Sequence, residues 1–311
     1  MPIDTLVIGA GLVGACVARA LAESGRSVTV ATAQGVAEGA TRRAIGLVAA
    51  DPGHPVATEA GARDLLAWAS RLNVVARTVT ARWYPNRNVM QLDDPAERVD
   101  ARPAALVDLA KLTLRLLMHP AITVRQHVEI RAIDRPRAAP LSPLEAIASG
   151  ERIVAGRIVL AANAYAGLLS PYLADAMTLA RGAVWVSRPL DPGEFPGLTQ
   201  PVVVGRGRLI AAQTPDGRVR IGSWTAAGGP PAGESAIEDP DDLTRRFLKR
   251  NFPAALEEIA WRQAGVSSES RDGEPLVGRL PGETGVMYAL GAGPFGAAWA
   301  MSMAARIAGM S

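Results

Sequence analysis

Three glycines at the start of the chain have the spacing to do chemistry. Gly9, Gly11 and Gly14 stand in a G-x-G-x-x-G pattern. They follow the continuous apolar run Thr5-Leu6-Val7-Ile8 and open an alanine-rich segment, 12–23, that reads as a helix ended by Gly25. In this pattern the first glycine permits a tight turn, the second lets a diphosphate approach the backbone, and the third lets helix and strand pack closely. The diphosphate then meets free N–H groups and the positive end of a helix dipole. A second strand at 28–30 completes a βαβ unit, so Gly9, Gly11, Leu12, Val13 and Gly14 are candidate dinucleotide contacts. The acid that usually ends the second strand and binds a ribose is replaced by Thr32. Its hydroxyl makes a single neutral hydrogen bond, without the charge-assisted grip of a carboxylate.

Other reactive groups are sparse. Cys16 is the one cysteine, which rules out an internal disulfide or a CxxC site, and its neighbours Ala15, Val17 and Ala18 suggest a buried small hydrophobe. His54, His119 and His127 are scattered and near no acidic cluster, so no metal is expected. With 33 basic and 30 acidic residues the net charge is +3, which gives no nucleic-acid footprint. The densest basic cluster, Arg245, Arg246, Lys249 and Arg250, follows Asp239, Asp241 and Asp242. Acids first and bases last is the order for a solvated helix. Asp4 precedes the first apolar run without a basic leader, and no stretch approaches the ~18 uncharged apolar residues of a membrane span. A cytoplasmic protein is expected.

The elements that must position the glycine turn alternate along the 311 residues. Helices are expected at 56–72, at 104–118 after Arg102-Pro103, and at 241–250. Segment 74–92 suggests strands outside the nucleotide-binding sheet. Strands are read at 122–133 and 152–160 around an exposed proline-rich loop, 136–143. A strand-rich block follows at 183–186, 201–204, 209–212 and 218–221, with a hairpin signal at Asp216-Gly217. The end returns to a strand at 285–290 and a helix at 296–307. The fold class is therefore α/β, α+β overall: a Rossmann-type domain, discontinuous in sequence, with a β-rich second domain. The boundaries read are 1–78, 101–175 and 262–311 for the first domain, and 79–100 and 176–261 for the second.

Further motifs give a resemblance. Gly39-Ala40-Thr41-Arg42-Arg43-Ala44-Ile45-Gly46-Leu47-Val48, Val159-Leu160-Ala161-Ala162-Asn163-Ala164-Tyr165, Arg271-Asp272-Gly273-Glu274-Pro275-Leu276-Val277-Gly278 and Gly291-Ala292-Gly293-Pro294-Phe295-Gly296 accompany the glycine turn. Together they resemble the D-amino-acid oxidase and glycine oxidase superfamily of FAD-dependent oxidoreductases. The resemblance implies FAD as cofactor, with contacts from Thr32, Thr41, Arg42, Arg43, Gly46, Leu47, Val128, Ala161, Ala162, Gly291, Gly293, Pro294, Phe295 and Gly296 beside the first glycine turn. It also implies hydride transfer from a carbon bearing an amine to flavin N5, the substrate being a small amine or amino acid. The final helix N-terminus is similar to the one that faces the electron-rich end of the flavin.

The departures shape the expectations. The arginine that binds the substrate carboxylate in amino-acid-oxidising members is replaced at the matching position by Ser267, and the histidine of the last turn by Ala292. Cys16 is misplaced for a flavin link and no histidine lies in the N-terminal flavin segment, so FAD is expected to be non-covalent. Lys111 and Lys249 fall on expected helices, so no lysine is placed to promote reaction with oxygen. Substrate-wall candidates are Trp83, Tyr84, Arg181, Trp185, Arg208, Trp224 and Ser267. Either Arg181 or Arg208 supplies the missing cation, or the substrate lacks a nearby carboxylate. Little oxygen-coupled activity on glycine, sarcosine or simple D-amino acids is expected. Two other readings stay open: a non-catalytic FAD-binding subunit of a heteromeric oxidoreductase, and an NAD(P)-linked dehydrogenase sharing only the βαβ unit. A protein electron acceptor or partner subunit also stays open.

Overall fold

The computed structural model describes residues 3–86, 88, 91–92, 94–134, 143–191, 198, 200–226 and 239–311. The chain passes repeatedly between two compact units, 1–42, 109–178 and 268–311 in the first and 43–108 and 179–267 in the second. It begins in the first unit with β1 (Ile3–Ile8), α1 (Leu12–Glu23) and β2 (Val28–Thr32). It enters the second with β3 (Leu47–Ala49), α2 (Pro55–Arg71), β4 (Ala76–Tyr84) and β5 (Asp100–Val107). It returns through α3 (Leu109–Leu117), β6 (Ile122–Gln126), β7 (Ile130–Asp134), β8 (Leu144–Ala148), β9 (Glu151–Leu160) and α4 (Pro171–Ala176). β10 (Met177–Pro189) leads into β11 (Val202–Val204), β12 (Leu209–Gln213), β13 (Arg218–Ala226), α5 (Pro240–Asn251) and α6 (Pro253–Glu257). β14 (Ile259–Ser270) leads back to β15 (Leu276–Arg279), β16 (Val286–Leu290) and α7 (Gly296–Met310).

In the first unit the sheet order is β15-β16-β9-β1-β2-β6, with the β7–β8 hairpin joined to the start of β9. β16, β9, β1, β2 and β6 are parallel. Their continuous Val, Ile and Leu runs suit burial on both faces. Helix α1 packs against α3 and α7. Leu6, Ile8, Ile158 and Leu160 form a separate core with Ile130, Leu144 and Ala146 of the hairpin. The order reverses at β1: β2 and β6 extend to one side, β9 and β16 to the other. Ligands of open α/β sheets bind outside the carboxyl ends of the strands at such a switch point.

In the second unit the order is β14-β10-β13-β12-β11-β4-β5-β3. One face carries Tyr84, Trp185, Val204, Leu209 and Ile221, packed with Leu243, Phe247 and Leu248 of α5. The polar face and charge order expected of α5 hold: Asp239 accepts the Asp241 N–H at 2.7 Å, Asp241 and Asp242 lie in the first turn, and Lys249 and Arg250 in the last. The Asp216-Gly217 hairpin forms with Gly217 at φ 78°.

The helix expected at 104–118 is two elements. Residues 104–107 are buried in β5, between β4 and β3, and only 109–117 are helical. A fully buried apolar run does not distinguish strand from helix by periodicity. Pro103 falls in β5 just before the stretch paired with β3, where a missing N–H is tolerated. Because β3, β4 and β5 pair with one another, 43–78 and 101–108 group with the second sheet, whereas the sequence reading put them in the first domain. β8, β14 and β15 were not anticipated; β14 is rich in polar residues and small ones. The buried face of α2 is Thr58, Gly61, Leu65 and Ala69; Trp68 instead carries the Arg71 guanidinium at 5.3 Å. Apart from Pro143, the proline-rich loop at 136–143 lies outside the described residues.

Candidate functional site

The glycine turn lies at the switch point. Gly9 follows β1 at φ 116°, and a Cβ there would stand 2.5 Å from the Ala161 carbonyl oxygen at the end of β9. A Cβ on Gly14 would stand 2.0 Å from the Gly9 carbonyl oxygen. These two glycines therefore let strand, strand and helix close on one another. Gly11 differs: its φ of −78° is open to any residue, and a Cβ would meet only the Thr41 hydroxyl, at 3.2 Å. Its constraint is not one of folding.

Gly11 is the N-cap of α1, with no side-chain cap and no acid in the first turn. Thr41 Oγ1 accepts the Leu12 N–H at 2.9 Å, and the Ala15 N–H bonds the Gly11 carbonyl. The helix's own ladder leaves the N–H groups of Val13 and Gly14 over. Gly11, Val13 and Thr41 are half-buried, so this helix end is accessible. An anion placed there would complete it.

Thr32 ends β2, half-buried, and its carbonyl accepts the Val128 N–H at 2.9 Å. The loop beyond it folds back, with the Ala37 N–H on the Ala10 carbonyl at 2.9 Å. Sequence reasoning missed Glu38 in this loop. Its carboxylate accepts the Gly35 N–H at 3.2 Å and pairs with Arg42 at 3.4 Å, so it supplies the negative charge that Thr32 lacks to the loop rather than to the strand end.

At the other side of the switch point, β16 is followed by Gly291, at φ 68°. The Ser270 N–H donates to the Gly291 carbonyl at 3.1 Å, and Glu269 bridges Ala292. A turn through Gly293, Pro294 and the buried Phe295 leads to Gly296, the first residue of α7. α7 also lacks a side-chain cap and a first-turn acid. Asn163, just past Ala161 and Ala162, sits at φ 52° and accepts from the Ser268 N–H at 3.2 Å and its hydroxyl at 2.6 Å. Its partner Ser268 lies on β14, 105 residues along the chain, which local sequence does not reveal. Cys16 lies fully buried in α1, and burial pushes its thiol up to about 12, so it offers no nucleophile.

The second unit separates the proposed substrate-wall residues. Tyr84 is fully buried in the α5-covered core and donates to the Leu92 carbonyl at 2.9 Å. Trp185 lies in the same core, donating to Asp241 at 2.6 Å. Arg181 is exposed, and the register puts it on that same face. Trp224 is on the opposite face. Its indole lies flat over Gly182 and Gly222, where a Cβ would come within 2.5 and 2.4 Å of the ring. Arg208 pairs beside Trp224, its backbone carbonyl accepting the Trp224 N–H and its guanidinium bonding Asn88 at 3.3 Å. Ser267 is half-buried on β14. Gly46 and Leu47 also belong to this unit: Gly46, at φ 87°, accepts the Val107 N–H, and Leu47 opens β3 opposite Leu106. Arg43 lies along Gly265 of β14, where a Cβ would stand 2.6 Å from its Cδ. Glycines inside strands were the readable signal for these close approaches.

A parallel sheet with a glycine turn at its switch point and two open helix N-termini defines a dinucleotide-binding α/β protein. The chain belongs to the FAD dependent oxidoreductase family, whose model matches residues 4–84 and 55–310. FAD is thus its cofactor, as the resemblance implied. Comparison with curated proteins finds no match. Among solved structures the fold is similar to glycine oxidase from Geobacillus kaustophilus, at 16% identity and TM-score 0.73, over 98% of this chain and 93% of that one. It is similar to L-proline dehydrogenase from P. horikoshii, at 15% identity and TM-score 0.76, over 99% and 93%. Iminodiacetate oxidase from Chelativorans sp. BNC1 follows at 19% identity and TM-score 0.72, over 98% and 94%. No helix among the described residues is long and apolar enough to cross a membrane.

Proposed function

We propose that the chain holds FAD non-covalently in its first unit and oxidises the C–N bond of an amine or amino acid. The observation that carries the cofactor site is the contrast among the three glycines. Gly9 and Gly14 have backbone where a side chain would be, while Gly11 faces an open, uncapped helix end. That donor set fits a diphosphate, with Gly9, Gly11, Leu12, Val13, Gly14 and Thr41 around it. Thr32, Arg42 and Val128 then serve the adenosine side. Ala161, Ala162 and the turn Gly291, Gly293, Pro294, Phe295 and Gly296 would hold the flavin, the uncapped α7 N-terminus offering it backbone N–H groups and the positive end of a helix dipole.

Bound FAD supplies the acceptor for the hydride leaving the substrate carbon. The chain's own residues bind, orient and polarise. Neither Ser267 nor Ala292 is an acid or base, so placement and the two helix dipoles carry the protein's share. The C–N assignment is supported by the similarity to oxidoreductases of glycine, proline and iminodiacetate.

The test is the absorption spectrum of the purified protein, then anaerobic stopped-flow mixing with glycine, sarcosine, D-alanine, L-proline and benzylamine. A yellow protein bleached by at least one amine is expected. Reoxidation should be faster with an artificial dye than with oxygen, since Lys111 lies on α3 and Lys249 on α5. A protein that retains FAD but is reduced by no amine refutes the catalytic reading in favour of a non-catalytic subunit.

A further inference from the structure

We infer that the Asn163 side chain is a further cofactor residue, its amide nitrogen donating a hydrogen bond to the flavin half of FAD. The inference rests on the cofactor placement above and not on the C–N assignment.

Asn163 follows Ala161 and Ala162 just beyond the carboxyl end of β9. β9 lies between β1 and β16, the strands that lead into the two glycine turns. On one side the Gly9 turn closes on this strand end, with the Ala161 carbonyl oxygen 2.5 Å from where a Gly9 Cβ would stand. On the other, the Ser270 N–H holds the Gly291 carbonyl at 3.1 Å. Asn163 therefore stands at the crevice outside the strand ends, where ligands of open α/β sheets bind. All of these residues belong to the first unit.

The backbone at Asn163, at φ 52°, is left-handed, a conformation that glycine adopts at less cost. Asparagine brings to it a carboxamide whose orientation the neighbours fix. The Ser268 N–H, at 3.2 Å, can only donate, so the carboxamide atom that meets it is the oxygen. The Ser268 hydroxyl donates to the same oxygen at 2.6 Å. Ser268 is buried, so the acceptor arm of Asn163 is locked. The amide nitrogen is the other arm. It has no protein partner among the described residues, and it is not sealed from solvent.

One arm locked and the other an oriented, unused donor make a preorganised ligand contact, since Ser268 has already immobilised the side chain. The flavin ring and its ribityl chain carry oxygens and nitrogens that accept hydrogen bonds. Ala161 and Ala162 have no polar side chain to offer them. At this strand end Asn163 is the side chain that reads the ligand.

The test is calorimetric titration of the apoprotein with FAD and with ADP, which lacks the flavin, beside thermal melts. Asn163→Asp keeps an oxygen for both Ser268 bonds but replaces the donor arm by a second acceptor. Its melting temperature is expected to match wild type. FAD should bind about 10-fold more weakly, as for loss of one hydrogen bond, with ADP unchanged. Asn163→Gly tolerates the left-handed backbone and loses both arms; it should show the same selective loss of FAD affinity without any added charge. Wild-type FAD affinity in either variant overturns the inference and leaves Asn163 a clamp of the turn. Equal weakening of ADP and FAD overturns it too, because the donor would then serve the diphosphate. A wild type that binds ADP but not FAD would instead refute the cofactor placement on which the inference rests. Reduction by amines enters none of these measurements, so failure of the C–N assignment is seen separately.

Discussion

Replacing Gly11 and Gly14 in turn should separate cofactor binding from folding. A Cβ at Gly14 meets the Gly9 carbonyl oxygen at 2.0 Å, a backbone atom pinned between β1 and β9. Relief requires α1 to shift off the sheet, an overpacking cost of about 1–3 kcal/mol or more. Gly14→Ala should therefore melt several degrees lower even without FAD. At Gly11 the backbone is unstrained and the nearest atom is a side-chain hydroxyl that can rotate. Gly11→Val should keep the apoprotein melting temperature while its side chain blocks the diphosphate from the α1 N-terminus. Losing two charge-assisted N–H bonds, at about 1.5–3 kcal/mol each, weakens FAD by about 10²- to 10⁴-fold. The assay pairs thermal melts of the apoproteins with calorimetric FAD titration. Wild-type FAD affinity in Gly11→Val, or an unchanged melt in Gly14→Ala, would refute the division of labour among the glycines.

Two other changes probe the same unit. Thr32→Glu should tighten FAD if the end of β2 receives the ribose, since a charge-assisted contact replaces a neutral one; weaker binding by titration would place the ribose elsewhere or show that the loop carrying Glu38 rejects a second charge. Burial raises the Cys16 thiol from 9.0 to about 12, so folding favours its protonated form. Its contribution is full below pH about 9 and is lost as pH rises toward about 12. The stability advantage of wild type over Cys16→Ala, measured by urea unfolding, should shrink over that range, and a pH-independent difference would contradict the burial.

The first unit was legible because its signals are local. The Val7-Ile8-Gly9 transition, the alanine-rich run after Gly11 and the Gly291 turn each carry their pattern within a few consecutive residues, although the packing partners Ala161 and α7 are distant. The second unit was less so, because its faces depend on pairing between distant strands. Tyr84 and Trp224 looked alike as aromatic residues in a β-rich block, yet register put them on opposite faces, one beneath α5 and one over Gly182 and Gly222. The run 104–107 could not reveal that β3 and β4 would flank it. Arg43 was read with the flavin segment because it adjoins Thr41; its packing on Gly265, far along the chain, is long-range information.

The parallel pairing of β1 has a consequence for synthesis. β1 is made before its neighbour β9, which ends at Leu160, and before the helix that packs on α1, which runs to Met310. During translation the glycine turn therefore waits for β9 and β16 before its sheet can close. Such long-range closure is slow, and the apolar β1–α1 segment is exposed in the interval. Once α7 (Gly296–Met310) is in place, it completes the nucleotide-binding unit begun with β1 and α1. FAD affinity would then report on whether α7 had been made and docked.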